Sequence, residues 1–417
     1  MTYNAIWVNF GVNRNCSWSS LIVLERTRKY LSPLFVDSLS TLALLCVLVL
    51  LPVRLVCQIF ARRTFSVWTG TPVLTLPVKA RAEKLLGVNA KTLVWQTSYI
   101  TDQFDINLSR WKTTPIVGIL VPYVAFVWAC MRLNRLHSFC DRGILPTKKF
   151  MQYNKIELFT YRLIGIQVFL WTYGADVRSR KRTMALGTPN CCMDCTLIGK
   201  ACICDDEVQS RYMAYLHRNV TAIFALGDMT EYSQNSIDTL FFWPIDLNAK
   251  SGEKYIPVYP PENRASPLRV VHAPNHRMFK GTRFLEEAID QLKREGESIE
   301  LIMVERLSNE AALSIYRSAD VIFDQCLIGS FGYTTLEAMA LGKPVMCFIR
   351  KEEYLLAPEE YPGIQILPET IAPTLRALIE DRTSLNRIGR QGRIYVEKHF
   401  SIEAFSSRLG TAMQRFS

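Results

Sequence analysis

Gly329-Ser-Phe-Gly-Tyr-Thr-Thr-Leu-Glu-Ala-Met-Ala-Leu-Gly-Lys-Pro-Val345 is the stretch on which the fold of this chain turns. It follows an apolar run, Asp320-Val-Ile-Phe-Asp324, that reads as a buried strand. Gly332 marks a tight loop, a helix carrying Glu337 follows, and Gly342 closes that helix. Pro344 ends the connection and starts the next strand. A strand, a tight loop and a helix start form the local geometry of an anion site. Backbone N–H groups left free at the helix start face a phosphate, and the helix dipole favours its charge. Glu337 lies less than two turns into the helix, where a carboxylate can accept hydrogen bonds from sugar hydroxyls.

The second half of this site lies earlier in the chain. Pro267-Leu-Arg-Val-Val-His-Ala273 reads as a strand, Pro274-Asn-His-Arg-Met-Phe-Lys-Gly281 as its loop, and Thr282 to Glu295 as a helix. Arg277 and Lys280 on that loop are cationic partners for a diphosphate, Arg as a planar fork and Lys as a point charge. The plainer reading of both is a solvated loop. Phe331 and Tyr333 either stack on a base or pack.

Together these residues resemble the nucleotide-binding half of a glycosyltransferase with two Rossmann-like domains (the GT-B type), most like glycosyltransferase family 4. The Lys280-Gly281 pair is similar to the family's basic strand–loop. Glu337 to Val345 matches its Glu-Ala-Met-Ala-x-Gly-x-Pro-Val stretch, and Tyr395 to Phe405 is similar to its final helix. The resemblance covers about residues 265–415 and is weaker before that. It implies an α/β fold of two Rossmann-like domains facing across a cleft, with the acceptor on the first and a nucleotide-diphosphate sugar on the second. It also implies that Glu337 holds the ribose, with Gly332, Phe331, Tyr333 and Gly281 around the donor. Retaining chemistry follows from the same resemblance, the leaving phosphate taking the acceptor proton.

The chain departs from the family twice. Gly329 stands where a first glutamate touches the donor sugar, with Asp324 or Gln325 as substitutes. Tyr173 stands where a histidine precedes a glycine near the reacting centre, so no histidine base carries over. Asp176 is then the candidate for orienting the acceptor hydroxyl; the competing reading is a cap on the following turn.

The chain has 417 residues, enough for two cores, and a net charge of +11. Its hydrophobic content is 49%, with mean hydropathy just above zero and a pI near 9.1. A basic chain with apolar segments points to anionic membrane surfaces or phosphate-bearing substrates before nucleic acid, for which there is no motif. Ser38 to Val53 carries no charge, and Arg54 interrupts before Leu55 to Phe60. A span needs roughly 20 apolar residues, so this segment is marginal by sequence. A second apolar segment, Pro115 to Met131, is flanked by Lys112 and Arg132. Each reads as a buried core helix or as a membrane-associating one. The first is no secretory signal, because it begins late and lacks a small-residue cleavage site.

In order along the chain, residues 1–64 form a tail and apolar anchor, 65–247 the first α/β domain, 248–266 a Pro-rich linker, and 267–417 the nucleotide-sugar domain. Strands at Phe65 to Thr69, Thr92 to Thr97, His137 to Cys140, Gln167 to Tyr173 and Val220 to Ala225 alternate with helices, which predicts a parallel sheet. Ligands bind such sheets at the carboxyl ends of the strands, where Gly70, Asp141, Asp176 and Arg178 fall. Arg178-Ser-Arg-Lys-Arg182 is a solvated face or a landing strip for anionic lipid.

Five of the twelve cysteines lie between Cys191 and Cys204. Cys192, Cys195, Cys202 and Cys204 can be read as a four-thiolate structural zinc site on a loop at 191–204. Free or redox-active thiols and an iron–sulfur cluster are the alternatives. The expectation is a membrane-associated glycosyltransferase at the cytoplasmic face, acting on a lipid-linked or polysaccharide acceptor. Its rivals are a nucleotide-sugar 2-epimerase of the same fold, which needs acid/base groups such as His272 or His276, and a non-catalytic metal-stapled membrane scaffold.

Overall fold

The computed structural model describes residues 33–60, 63–111, 114–147, 149, 151–237, 243–248, 254–262 and 267–416. The chain forms two compact units. The first gathers residues 1–179, 199–225 and 232–238; the second gathers 180–198, 226–231 and 239–417. The second unit therefore draws in two short segments, 180–198 and 226–231, from within the stretch expected to form the first.

In the first unit, helix α1 (Pro33–Ile59) precedes β1 (Phe65–Thr69), α2 (Thr75–Leu85), β2 (Asn89–Val94) and β3 (Ile106–Asn107). Then follow α3 (Pro115–Arg132), β4 (Arg135–Phe139), α4 (Lys155–Leu163) and β5 (Gln167–Trp171). The short helix α5 (Arg180–Ala185) belongs to the second unit, and α6 (Asp206–Asn219) and β6 (Ala222–Phe224) complete the first. The six strands pair in the order β3-β2-β1-β4-β5-β6, all parallel. Every residue of β1 is buried, as a strand covered on both faces requires. The order reverses between β1 and β4, the switch point at which open α/β sheets hold ligands beyond the strand ends.

Sequence makes α1 a puzzle, because Pro52 and Arg54 sit in its C-terminal third, yet the helix runs to Ile59. The structure shows why Arg54 is tolerated. Its guanidinium is buried and donates to the Cys130 carbonyl, to the Leu133 carbonyl at 3.0 Å and to the Ile164 carbonyl at 3.5 Å. Cys130 and Leu133 lie at the end of α3, where four carbonyls lack intrahelical partners and a cation is favoured by the dipole. The seemingly misplaced charge is a C-terminal cap for a neighbouring helix.

The second unit starts its sheet at β7 (Leu268–His272) and passes through a one-turn helix α7 (Arg277–Lys280) to α8 (Thr282–Arg294). Part of the expected loop is thus helical. There follow β8 (Ile299–Met303), α9 (Asn309–Ser318), β9 (Val321–Gln325), α10 (Tyr333–Ala340), β10 (Val345–Cys347) and β11 (Ile364–Gln365). Helices α11 (Ile371–Glu380), α12 (Thr383–His399) and α13 (Ile402–Gln414) close the chain. The five parallel strands run β11-β10-β9-β7-β8, with the reversal between β7 and β9. The core beneath them packs Leu268, Val270 and Phe323 against Leu285, Ile289 and Leu292, the buried stripe of α8. Residues 254–262, expected as linker, pack on this unit: the Val258 amide donates to the Leu341 carbonyl at 2.9 Å, and Arg393 donates to the Tyr255 carbonyl at 2.7 Å.

Arg54→Leu keeps the stem volume but leaves the Cys130 and Leu133 carbonyls buried without donors. Stability should fall by about 2–4 kcal/mol, read from the denaturant midpoint at unchanged m-value.

Candidate functional site

The switch point of the second unit brings the loop after β7 against the loop after β9. At the end of β9 stands Asp324, fully buried. It pairs with the Lys280 ammonium, accepts the Gly332 N–H at 2.6 Å and accepts the Thr335 hydroxyl at 2.8 Å. Burial alone would raise its pKa. The Lys280 charge, with these donors, outweighs burial and holds the carboxyl below its usual range. Lys280 has three donors and gives one to Asp324, which leaves two for an incoming anion. Gly332 is the N-cap of α10, so Lys280 and that helix start are held by one carboxylate.

Gly281 has φ +75°, and a Cβ there would lie 2.3 Å from the Cys326 sulfur. Only glycine permits this close approach, which explains the Lys-Gly step. At Gly329 φ is +89° and a Cβ would come 2.9 Å from Arg350 Nε. Arg350 donates to the Leu186 carbonyl at 3.0 Å and the Pro189 carbonyl at 2.6 Å. The position that carries a glutamate in the resembled family is thus closed here by an arginine anchored to the 180–198 segment.

Glu337 is buried and accepts hydrogen bonds at Oε1 from Asn309 (2.7 Å) and the Tyr255 hydroxyl (3.3 Å). Burial pushes its pKa up to about 7, against the lowering effect of Asn309, Lys254 and Tyr255. Asn309 and Tyr255 escaped sequence reasoning. Asn309 follows the N-cap Ser308 at a helix start, and Tyr255 lies in the Pro-rich stretch read as linker. Phe331 is buried between Tyr361 and Phe400, so of its two readings it packs. Tyr333 is partly buried, edge-on to Trp243, and donates to the Pro244 carbonyl at 3.2 Å. Arg277 is exposed and engaged by Glu286 at 2.9 Å and by Glu305 at 2.9 and 3.0 Å. His272 lies between the Phe323 carbonyl and the Thr282 hydroxyl, and burial lowers its pKa to about 4. It is a neutral structural histidine.

In the first unit Thr71, Asp141 and Tyr173 meet beyond the ends of β1, β4 and β5, and Gly70 lies against Phe139 and Ser138. Asp141 Oδ2 accepts from Thr71 (2.6 Å), Arg142 (2.9 Å) and the Tyr173 hydroxyl (3.4 Å). Asp176 is fully buried; Oδ1 accepts the Tyr173 and Gly174 amides at 3.0 and 2.9 Å, and Oδ2 accepts the Cys140 amide at 3.2 Å. It acts as a cap tying the ends of β4 and β5. Burial, with Asp141 nearby, raises its pKa to about 7 in spite of these donors. Lys79, on α2, is also buried and lies 4.5 Å from the Trp171 ring centroid. Burial lowers its pKa to about 7, with Asp176 opposing. Neither Lys79 nor Glu157, which accepts the Ile144 and Leu145 amides at 2.7 and 2.9 Å, was found by sequence reasoning. Charged residues on a helix carry no mark of burial. Arg178 is partly buried and its carbonyl accepts the Cys204 amide at 3.3 Å.

The zinc reading is not supported. Among the described residues no group of three or more His, Cys, Asp or Glu is arranged to hold a metal. Cys191 is buried in the second unit's core and Cys192 packs against it.

No protein-family model and no curated protein matches the chain. Among solved structures it is similar to sucrose-phosphate synthase from Thermosynechococcus elongatus, with TM-score 0.55 and 12% identity over 85% of this chain and 99% of that one. It is also similar to Anabaena HepE in complex with UDP, at TM-score 0.53 and 11% identity over 84% and 100% of the two chains. The HepE complex with UDP-glucose gives 0.51 and 10% over 85% and 100%. At these identities the likeness establishes the fold: two Rossmann-like units of the GT-B glycosyltransferase type.

Asp324→Ala strands the Lys280 charge in a buried site and should lower stability by about 3–5 kcal/mol. Because the folded pKa of Asp324 is depressed, its contribution is present above the unfolded value of 3.8 and is lost as pH falls through the folded one. The variant's deficit should therefore shrink in strong acid, as denaturant titrations at several pH values would show. Gly329→Glu must displace Arg350 and adopt a left-handed backbone, so a loss of about 1–3 kcal/mol is expected in the same assay.

Proposed function

We propose that this protein is a membrane-associated glycosyltransferase that moves a sugar from a nucleotide-diphosphate donor to a lipid-linked or polysaccharide acceptor. The observation that carries the reading is the Lys280–Asp324–Gly332 arrangement at the switch point of the second unit. It combines a cation with spare donors and a helix start in one place, which suits a diphosphate. The likeness to a UDP-bound and a UDP-glucose-bound structure supports the donor class.

In this reading the bond between the sugar's anomeric carbon and the diphosphate oxygen breaks, and a bond from the acceptor oxygen forms. The acceptor's proton passes to the leaving phosphate, and the configuration is retained. Lys280 stabilises charge developing on the diphosphate, the kind of electrostatic contribution that usually dominates such catalysis. Glu337 accepts hydrogen bonds from the ribose at Oε2, because Asn309 and Tyr255 occupy Oε1. Arg277 serves at the rim only by exchanging Glu286 and Glu305 for phosphate. The loop ends around Gly70 and Asp141 take the acceptor, with Asp176 holding their backbone in place. The apolar helices α1 and α3 and the basic net charge support association with the cytoplasmic face of a membrane. His272 is buried with both ring nitrogens engaged by Phe323 and Thr282, which counts against its serving as an epimerase's acid/base histidine.

Calorimetry with UDP, GDP, ADP and CDP tests the donor site. One nucleotide should bind, and Lys280→Ala should abolish detectable binding. Ribose hydroxyls donate to the ionised form of Glu337, so affinity should rise about tenfold from pH 6 to pH 8 through the pKa near 7. Glu337→Gln should bind weakly and lose this dependence. Folded protein that binds none of the four would end the reading.

A further inference from the structure

Helix α1 is 27 residues long, about 40 Å at 1.5 Å per residue, and among the described helices it is the one long and apolar enough to cross a membrane. Its buried positions, Val36, Ser40, Ala43, Val47 and Arg54, fall on one narrow stripe. The rest of its circumference from Leu42 to Phe60 is uncharged, with Val49 and Ile59 78% and 79% exposed. Beside it α3 exposes Ile116 (72%) and Val124 (65%). This is an unusually large apolar surface for a soluble protein, and it offers a protein partner almost no polar group to pair.

Two tethers decide what such a face can do. Near its start α1 is held where the Asn154 amide donates to the Ser40 hydroxyl at 3.0 Å. Near its end it is held where Arg54 donates to the Cys130, Leu133 and Ile164 carbonyls. The tethers are 14 residues apart, about 21 Å along the axis. Their partners lie at the start of α4, just before β4, and just before β5. A spanning α1 would carry both tethers into the roughly 30 Å hydrocarbon layer. Lys155, Arg135 and Arg162, each next to a tether's partner or within two residues of one, would be drawn in as well. Releasing the Arg54 tether would leave a buried guanidinium and the Cys130 and Leu133 carbonyls without each other.

We infer that α1 and α3 form an in-plane anchor that sinks their outer faces into one leaflet of an anionic bilayer, and that α1 does not span it. Charge supports a lipid occupant. Residues 38–82 and 106–140 hold no Asp or Glu but carry Arg63, Arg110 and Arg132, all exposed, at the ends of the apolar runs. The inference rests on the membrane association proposed above and specifies its geometry.

The test uses the full chain. Flotation with phosphatidylcholine vesicles containing phosphatidylglycerol should recover at least fivefold more protein than vesicles of phosphatidylcholine alone. Val49→Glu combined with Val53→Glu alters only exposed positions. It should abolish flotation while nucleotide binding by the second unit persists, which serves as the fold control. Asp37→Cys and Arg63→Cys, compared with the parent chain in sealed membrane vesicles, should both react with an impermeant maleimide from the same side. Labelling of the two ends from opposite sides would overturn the in-plane geometry and leave membrane association standing. Wild-type protein that does not float, or that buries this face in a dimer seen on gel filtration, would end both.

Discussion

The carboxylate of Asp324 is the point on which the second unit's site depends. A buried charge is held in a low-dielectric interior only if opposite charge and hydrogen bonds surround it, and Lys280, Gly332 and Thr335 meet that condition together. The same contacts place a cation beside the start of α10. Gly281 lets the loop after β7 close onto Cys326, and Gly332 brings its N–H to Asp324. Structural satisfaction of one acid thereby sets a cation and a helix start side by side as its geometric consequence.

The first unit uses buried polar groups differently. Asp176 and Glu157 each gather backbone amides from loops at the strand ends, at Cys140, Tyr173 and Gly174 in one case and at Ile144 and Leu145 in the other. Burial outweighs these donors, and both carboxyls are raised to about 7. Raised pKa values of this kind favour the folded state in acid, and that contribution is lost as pH rises through about 7. These acids shape the loops that frame Gly70 and Asp141, which identifies them as supports of the sheet's switch point.

Arg54 shows how one side chain can change the meaning of a hydrophobic segment. By sequence it interrupts an apolar run. In the fold it caps α3 and secures α1 along the flank of the first unit. The outward surface of both helices remains apolar, and its geometry relative to the sheet is fixed by those hydrogen bonds.

The alternation of short apolar runs with helical periodicity was enough to read the first unit's parallel sheet, because period and length are local properties; the second sheet was expected from the resemblance. The glycines around Glu337 were legible as a tight loop and a helix end, and the Lys-Gly step through the resemblance; the left-handed backbone and close approach that require Gly281 are seen only in the fold. Partnership was not legible. Nothing in the sequence joins Lys280 to Asp324, Glu337 to Asn309 and Tyr255, or Arg54 to the carbonyls of Cys130 and Leu133. The cysteine spacing suggested a metal, yet among the described residues no group of three or more His, Cys, Asp or Glu is arranged to hold one. Sequence alone determined which residue types stand at the strand ends. Tertiary structure decided which of them are buried, what they are bonded to and which remain free to meet a ligand, because burial and long-range pairing arise only when distant segments pack.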